Sequence, residues 1–414
     1  MKFFILSIVF LMGCSHHSNS ENTISSIHII DRNGFTETIS SEERILRLQK
    51  NDYLAPQPYK KVTRTLKKNA LGKIPSLLTT YHPNGQLWQY LEVLDGRALG
   101  VYHEFFPTGQ KRLEAYVIEG EGDLSPSAQD DWIFDGKNLA WNEQGNLIAE
   151  ISYRKGFLDG LSTYYHANGQ IKRTVPYSSG KIEGTISHYD DKGNSVGIES
   201  FEKGQLHGIT QFQGNGLCPP YREKYLQGKL IEGTYFDLSG QCIAEIRGGN
   251  GEKTIFENGT LAKKIEYKNG DPNGRIQLFS PEKILLSEHH IIDGKKHGEE
   301  WIYQADHQPK MLISWYNDEI HGTVKTWFAN GLMESQREIC HNLRHGHSFA
   351  WYADGSMMLH ENYENGLLSK GSYMKKGGTD PVSTVKNGQG VATLHDADGF
   401  FLKKIEYKDG RPVE

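Results

Sequence analysis

One spacing limits what this chain can fold into. Turn residues return every 24 positions between 259 and 366. Gly259, Lys283, His307, Gly331 and Gly355 form a first column, and Gly270, Gly294, Asp318, Asn342 and Gly366 a second. Gly274, Gly298, Gly322 and Gly346 form a third. The columns run earlier through Gly145, Gly169 and Gly193, through Gly156, Gly180 and Gly204, and through Gly160, Gly184 and Gly208. Gly85 and Gly109 open the series, and KKIEYKDG at 403–410 echoes KKIEYKNG at 263–270. Self-similarity at such a period is the signature of a repeat architecture. With 45 glycines in 414 residues and only 37% apolar residues, the chain suits a thin, turn-rich structure better than a thick globule.

The exceptions in the second column are informative. Asp318 and Asn342 replace glycine there, and these residue types best tolerate positive φ, so the column demands left-handed backbone. The first column carries Asn-Gly at 84–85, 168–169, 258–259 and 330–331, and Asp-Gly at 354–355 and 398–399. These pairs favour tight type I′ hairpin turns.

Strand-like segments lie between the turns. Four residues before the first column stand Tyr81, Phe105, Trp141, Tyr165, Tyr189, Phe279, Tyr303, Trp327 and Trp351. Eight residues after it stand mostly aromatics, Tyr153, Tyr267, Trp315 and Tyr363 among them, with charged or polar neighbours. That alternation fits strands burying one face. Each 24-residue unit therefore reads as one β-hairpin needing its neighbours, since an isolated hairpin is barely stable in water. The expected fold is mainly β: an elongated single-layer antiparallel sheet of stacked hairpins with a small N-terminal α+β segment. Two strands per unit give a rise of about 10 Å per repeat.

GKKHG, DEIHG, NLRHG and GQLHG, each followed by a strand and a turn, resemble MORN-type repeats, closest to the bacterial variant form labelled YwqK-family antitoxin-like. The resemblance covers about 76–414 and implies a scaffold or binding role. HGEEW, HGTVK and HGHSF lack the second glycine of the standard MORN unit, which weakens any transfer to these residues of the phospholipid binding proposed for some MORN proteins.

Lys2 precedes the apolar run FFILSIVFLM, too short to span a bilayer, and the run ends in Leu11-Met12-Gly13-Cys14. This resembles a bacterial lipoprotein signal. The resemblance implies cleavage after residue 13 and lipid on Cys14, and Ser15 implies sorting to the outer membrane. Two or three acyl chains give stable anchoring. The expected organisation is a signal peptide at 1–13, a tether and capping segment at 14–75, and the repeat domain at 76–414. Within 14–75, IHIIDRNGFTETI predicts a hairpin, Ser40 and Glu43 a capping box on a short helix, and Lys60 to Lys68 a solvated basic strand. Insertions at 121–136 and 369–390 break the period and are expected as surface excursions, and residues 209–258 as distorted hairpins.

His207, His297, His321 and His345 share one column, but successive members lie about 10 Å apart, too far to share one zinc ion. His341, His345 and His347 could meet within a single turn, but have no cysteine or acidic partner spaced for it. No metal site, cofactor or catalytic residue is expected, and no nucleophile elbow or phosphate loop is present. Cys218 and Cys242, one period apart, are expected as buried free thiols. A net charge of -5 gives no ground for nucleic-acid binding. The expected function is a non-catalytic, lipid-anchored scaffold of the bacterial envelope with a protein or glycan partner. An envelope immunity protein of a toxin system and an envelope enzyme using the insertions are the alternatives.

Overall fold

The computed structural model describes residues 23–413, so the signal at 1–13, Cys14 and the first part of the tether lie outside the described residues. The described chain is mainly β: thirty-five strands and two short helices, in two units that divide at Ser195 and Val196. Within each unit the strands form an open antiparallel sheet in which most long strands pair with the next long strand in sequence, while Ile24–Asp31 pairs with both Thr36–Ile39 and Tyr59–Leu66. Stacked hairpins are what the 24-residue period predicts.

The two turn columns differ, and here the structure corrects the sequence reading. Type I′ turns fill the second column, where Lys155-Gly156, Asn269-Gly270, Asn317-Asp318 and His341-Asn342 have positive φ at both residues, and in the first column the expected type I′ geometry is met at Asn258-Gly259. The left-handed requirement read from Asp318 and Asn342 is met, with φ of 69° and 64°. In the first column Asn84, Asn168 and Asn330 are not left-handed; only the following glycine is. The Gly85 N–H donates to the His82 carbonyl and the His82 N–H to that of Gln86, which makes a type I turn closed by a bulge glycine. The asparagine serves instead to link turns. Its Nδ2 donates to the next turn's carbonyl, Asn84 to Pro107, Asn168 to Asp191 and Asn330 to Ala353. The second column is stapled by backbone, since Gly156 donates to Phe134, Gly180 to Leu158, Asn342 to Ile320 and Gly366 to Arg344. Successive turns are thus bonded to each other on both edges of the sheet.

In the first unit, both faces of the opening hairpins are covered. The predicted hairpin forms between Ile24–Asp31 and Thr36–Ile39, and the helix Glu42–Leu48 follows. Ile27, Ile39 and Ile45 of these elements, with Tyr53 of the loop that follows, bury Tyr81 and Leu87, so the segment does cap the first hairpin. The capping box does not form: Ser41 is the N-cap and no side chain caps the helix, which is held by Ile45 packing into the core. The other face is covered by 121–136. Rather than a free excursion, this insertion buries Leu124, Ala128 and Trp132, and its Trp132 ring meets Tyr102 edge-on at 4.9 Å. Its Asp123 pairs with Lys61 of the basic strand.

In the second unit, the other insertion is sheet. Leu367–Met374, Pro381–Lys386 and Gln389–His395 pair in sequence, so 369–390 supplies an extra hairpin. Tyr221–Leu226, Lys229–Phe236, Cys242–Arg247 and Asn250–Glu257 likewise form an ordinary ladder, and the irregularity expected across 209–258 is confined to the loop before Tyr221. Where no second layer lies over the sheet, the aromatic columns are half-buried: Trp141, Tyr165, Trp327 and Trp351 all keep partial exposure.

Candidate binding surface

The ladder of the second unit fixes which side chains share a face. Trp301 pairs with Leu312, Leu312 with Lys325, Lys325 with Gln336, Gln336 with Phe349 and Phe349 with His360. Paired residues point to the same side, so these six make one row across six strands. At about 4.8 Å per strand the row is about 24 Å long. Trp327 and Trp351, two residues further along their strands, widen it. Trp301 stacks on Trp327 with centroids 5.9 Å apart, and Phe349 stacks on His360 at 4.5 Å and 11°. The result is a platform of flat rings with an ammonium and an amide between them.

Beside Phe349 the platform runs into a groove of about 390 Å³ lined by His347, His360, Asn362, Lys370, Ser372 and Thr384. His347 Nδ1 and His360 Nε2 lie 3.0 Å apart, within hydrogen-bond distance. Burial, with His347 alongside, holds the His360 imidazole below its ordinary value. The groove therefore offers hydroxyl, amide, ammonium and neutral imidazole groups next to ring faces. Such a surface can hold a ligand with alternating apolar faces and hydroxyls.

The opposite face carries three buried carboxylates, Glu223, Glu300 and Glu361, and the first and last of them share one arrangement. Glu223 accepts hydrogen bonds from Tyr225 at 2.9 Å and Tyr235 at 2.7 Å, and pairs with Lys253. Glu361, 138 positions later, accepts them from Tyr363 at 3.1 Å and Tyr373 at 2.8 Å. Both carboxylates are buried with their charge compensated. Burial, with Glu223 close by, pushes the Tyr221 and Tyr267 phenols up to about 12. A cavity of about 300 Å³ opens beside the first carboxylate, walled by Pro220, Tyr221, Phe236, Ile255 and Phe256. These carboxylates hold the sheet together. Sequence reading missed them because each module closes on a turn, Gly248-Gly249 or Asn387-Gly388, that sits off the 24-residue beat.

The recurrent histidine also acquires a role. His207 Nδ1 accepts the Gln227 N–H and His345 Nδ1 that of Asn365, both at 3.3 Å, so each imidazole ties its bulge to the next turn. Asp159 does the same for Ser179 and Asp135 for Lys155. The thiols of Cys218, Cys242 and Cys340 are free, but Cys242 is exposed and Cys218 only partly buried, against the expected core positions. The reason is local: both lie next to turn residues at the sheet's edge rather than mid-strand.

Residues 158–179 and 252–269 match the sequence profile described as MORN repeat variant. These two stretches are thus MORN-type repeats, set in an open sheet of hairpins. No curated protein matches. Similar solved structures include a TcdB2-TccC3 crystal structure lacking the hypervariable C-terminal region, at 9% identity and a TM-score of 0.15. That match covers 88% of this chain and 27% of the other. A Photorhabdus luminescens Tc holotoxin pore with a TccC3 mutation is 10% identical with a TM-score of 0.14, covering 93% of this chain and 28% of the other. This chain thus spans about a quarter of those chains, and likeness at this level carries no argument about function.

Proposed function

We propose that the protein is a non-catalytic, lipid-anchored repeat scaffold of the bacterial cell envelope that presents its aromatic row to a glycan or protein partner. The observation that carries the binding half is the row from Trp301 to His360, where stacked rings alternate with Lys325 and Gln336 beside a polar groove. Aromatic side chains bring large contact area at low entropic cost, which is why they dominate binding energies. Anchoring is supported by the Leu11-Met12-Gly13-Cys14 sequence alone.

The two halves are tested separately. Metabolic labelling with an alkynyl fatty acid should mark the wild-type chain and not Cys14→Ser, which should leave the membrane fraction. Equal labelling of both ends the anchoring proposal. Crosslinked pull-downs from intact envelopes should recover one partner or glycan with wild type and lose it with Trp301→Ala and Phe349→Ala, at unchanged circular dichroism. Undiminished capture by both variants removes the row from the function.

A further inference from the structure

In the regular hairpins the residue before the bulge glycine reaches the first residue of the turn twenty positions on, as His207 reaches Gln227 and His345 reaches Asn365. By the same geometry His321 meets His341, with ring centroids 4.8 Å apart. Among the described turns, only there is the first turn residue itself an imidazole, and Cys340 stands directly before it. The candidate ligand atoms of His321, Cys340 and His341 all lie within 4.8 Å of one another. The Glu319 carboxylate lies 2.6 Å from His341 Nδ1.

From this geometry we propose that His321, Cys340 and His341 bind a borderline divalent transition-metal ion of the zinc class. Two imidazoles and a thiolate suit zinc and disfavour magnesium and calcium, which take oxygen ligands. Around tetrahedral zinc, bonds of about 2.0–2.3 Å place ligand atoms about 3.3–3.7 Å apart. Both imidazoles are exposed, so modest side-chain rotation closes the remaining gap. Glu319 supplies the supporting contact typical of metal histidines: a carboxylate on one ring nitrogen fixes the tautomer and aims the other, here Nε2, at the ion. The fourth position stays open to water. The ion would tie the Glu319–Trp327 strand to the turn that ends Met333–Cys340, in the place where other repeats use a hydrogen bond. Reading the sequence for partners of His341 within its own turn finds no cysteine or acidic residue spaced for it, whereas the structure joins His341 and the adjacent Cys340 to His321 and Glu319 across the strands.

The test uses the full chain, reduced and stripped with chelator. Co²⁺ titration should saturate one site and give near-ultraviolet thiolate-to-metal absorption, and Zn²⁺ should displace it. His321→Ala, Cys340→Ser and His341→Ala should each weaken Zn²⁺ binding at least 100-fold while the metal-free melting curve stays put. Glu319→Gln should weaken it about 10–100-fold, and His345→Ala should change nothing. The proposal is overturned if Co²⁺ gives no thiolate band, if Mg²⁺ competes equally, or if a His321→Ala/His341→Ala double variant binds Zn²⁺ as wild type does.

Discussion

The modules around Glu223 and Glu361 share one plan and differ in one charge. In both, a buried glutamate takes two tyrosine hydroxyls, from two and twelve residues on. In both, three turns close on each other through backbone: Leu230 donates to Gly270, Gly270 to Gly249 and Gly249 to Ile231, as Leu368 does to Gly410, Gly410 to Gly388 and Gly388 to Ser369. The cation is not shared. Glu223 has Lys253 from a later strand, with side-chain exposure of 20%. Glu361 has Arg344 from an earlier strand, 42% exposed and 3.6 Å away. Backbone closure and the tyrosine pair therefore define the module, while the counter-charge comes from whichever neighbouring strand can reach. A half-exposed cation keeps part of its hydration and gives the weaker pair.

The largest difference should appear at high pH. Burial raises all the module phenols above their ordinary value of 10: Tyr221, Tyr225, Tyr235 and Tyr267 in the first module, Tyr363, Tyr373 and Tyr407 in the second. A raised folded pKa means that stability is fully present below pH 10 and is lost as pH climbs beyond it. Four phenols against three make the first module open earlier, and Tyr235→Phe should delay its opening more than Tyr373→Phe delays the whole unit's. Phenolate absorbance and circular dichroism between pH 9 and 12 follow both. Next comes the charge itself. Glu223→Ala strands Lys253 and should cost about 3–5 kcal/mol, whereas Glu361→Ala leaves Arg344 partly in water and should cost about 1–3 kcal/mol. Urea unfolding of the two variants ranks them, and equal losses would erase the distinction.

A methyl group probes what the modules share. A Cβ on Gly233 or Gly371 would stand 2.7 Å from the hydroxyl of Tyr235 or Tyr373. Gly233→Ala and Gly371→Ala should therefore each cost about 1–3 kcal/mol, and to the same extent in thermal melts. The smallest effect lies in the regular hairpins between the modules. His307 sits in the first column at a φ of 68°, so His307→Gly should stabilise by about 0.5–1 kcal/mol, read as a small rise in urea midpoint.

The hairpin period and the left-handed second column were legible because Asp318 and Asn342 break the glycine rule in an interpretable way. The turn type at Asn84-Gly85 was not: the pair fits a type I′ turn equally well, and only the neighbouring carbonyl of Pro107 shows why asparagine is needed. The Glu223 and Glu361 modules were hidden for a related reason. Their turns, Gly248-Gly249 and Asn387-Gly388, sit off the 24-residue beat, so a fixed ruler reads them as disorder in the pattern. The binding row was half legible. Trp327 and Trp351 stand in a column, but Trp301, Lys325, Gln336 and Phe349 join them only through register, which a single sequence does not reveal.

Along the second column the bonds between successive turns run from main chain to main chain and ask little of the residues that fill them. A whole repeat can therefore be duplicated or deleted during evolution without leaving an orphaned donor at the splice. Homologues of this protein are expected to differ in length by whole hairpins, tuning how far the platform extends while its chemistry stays constant.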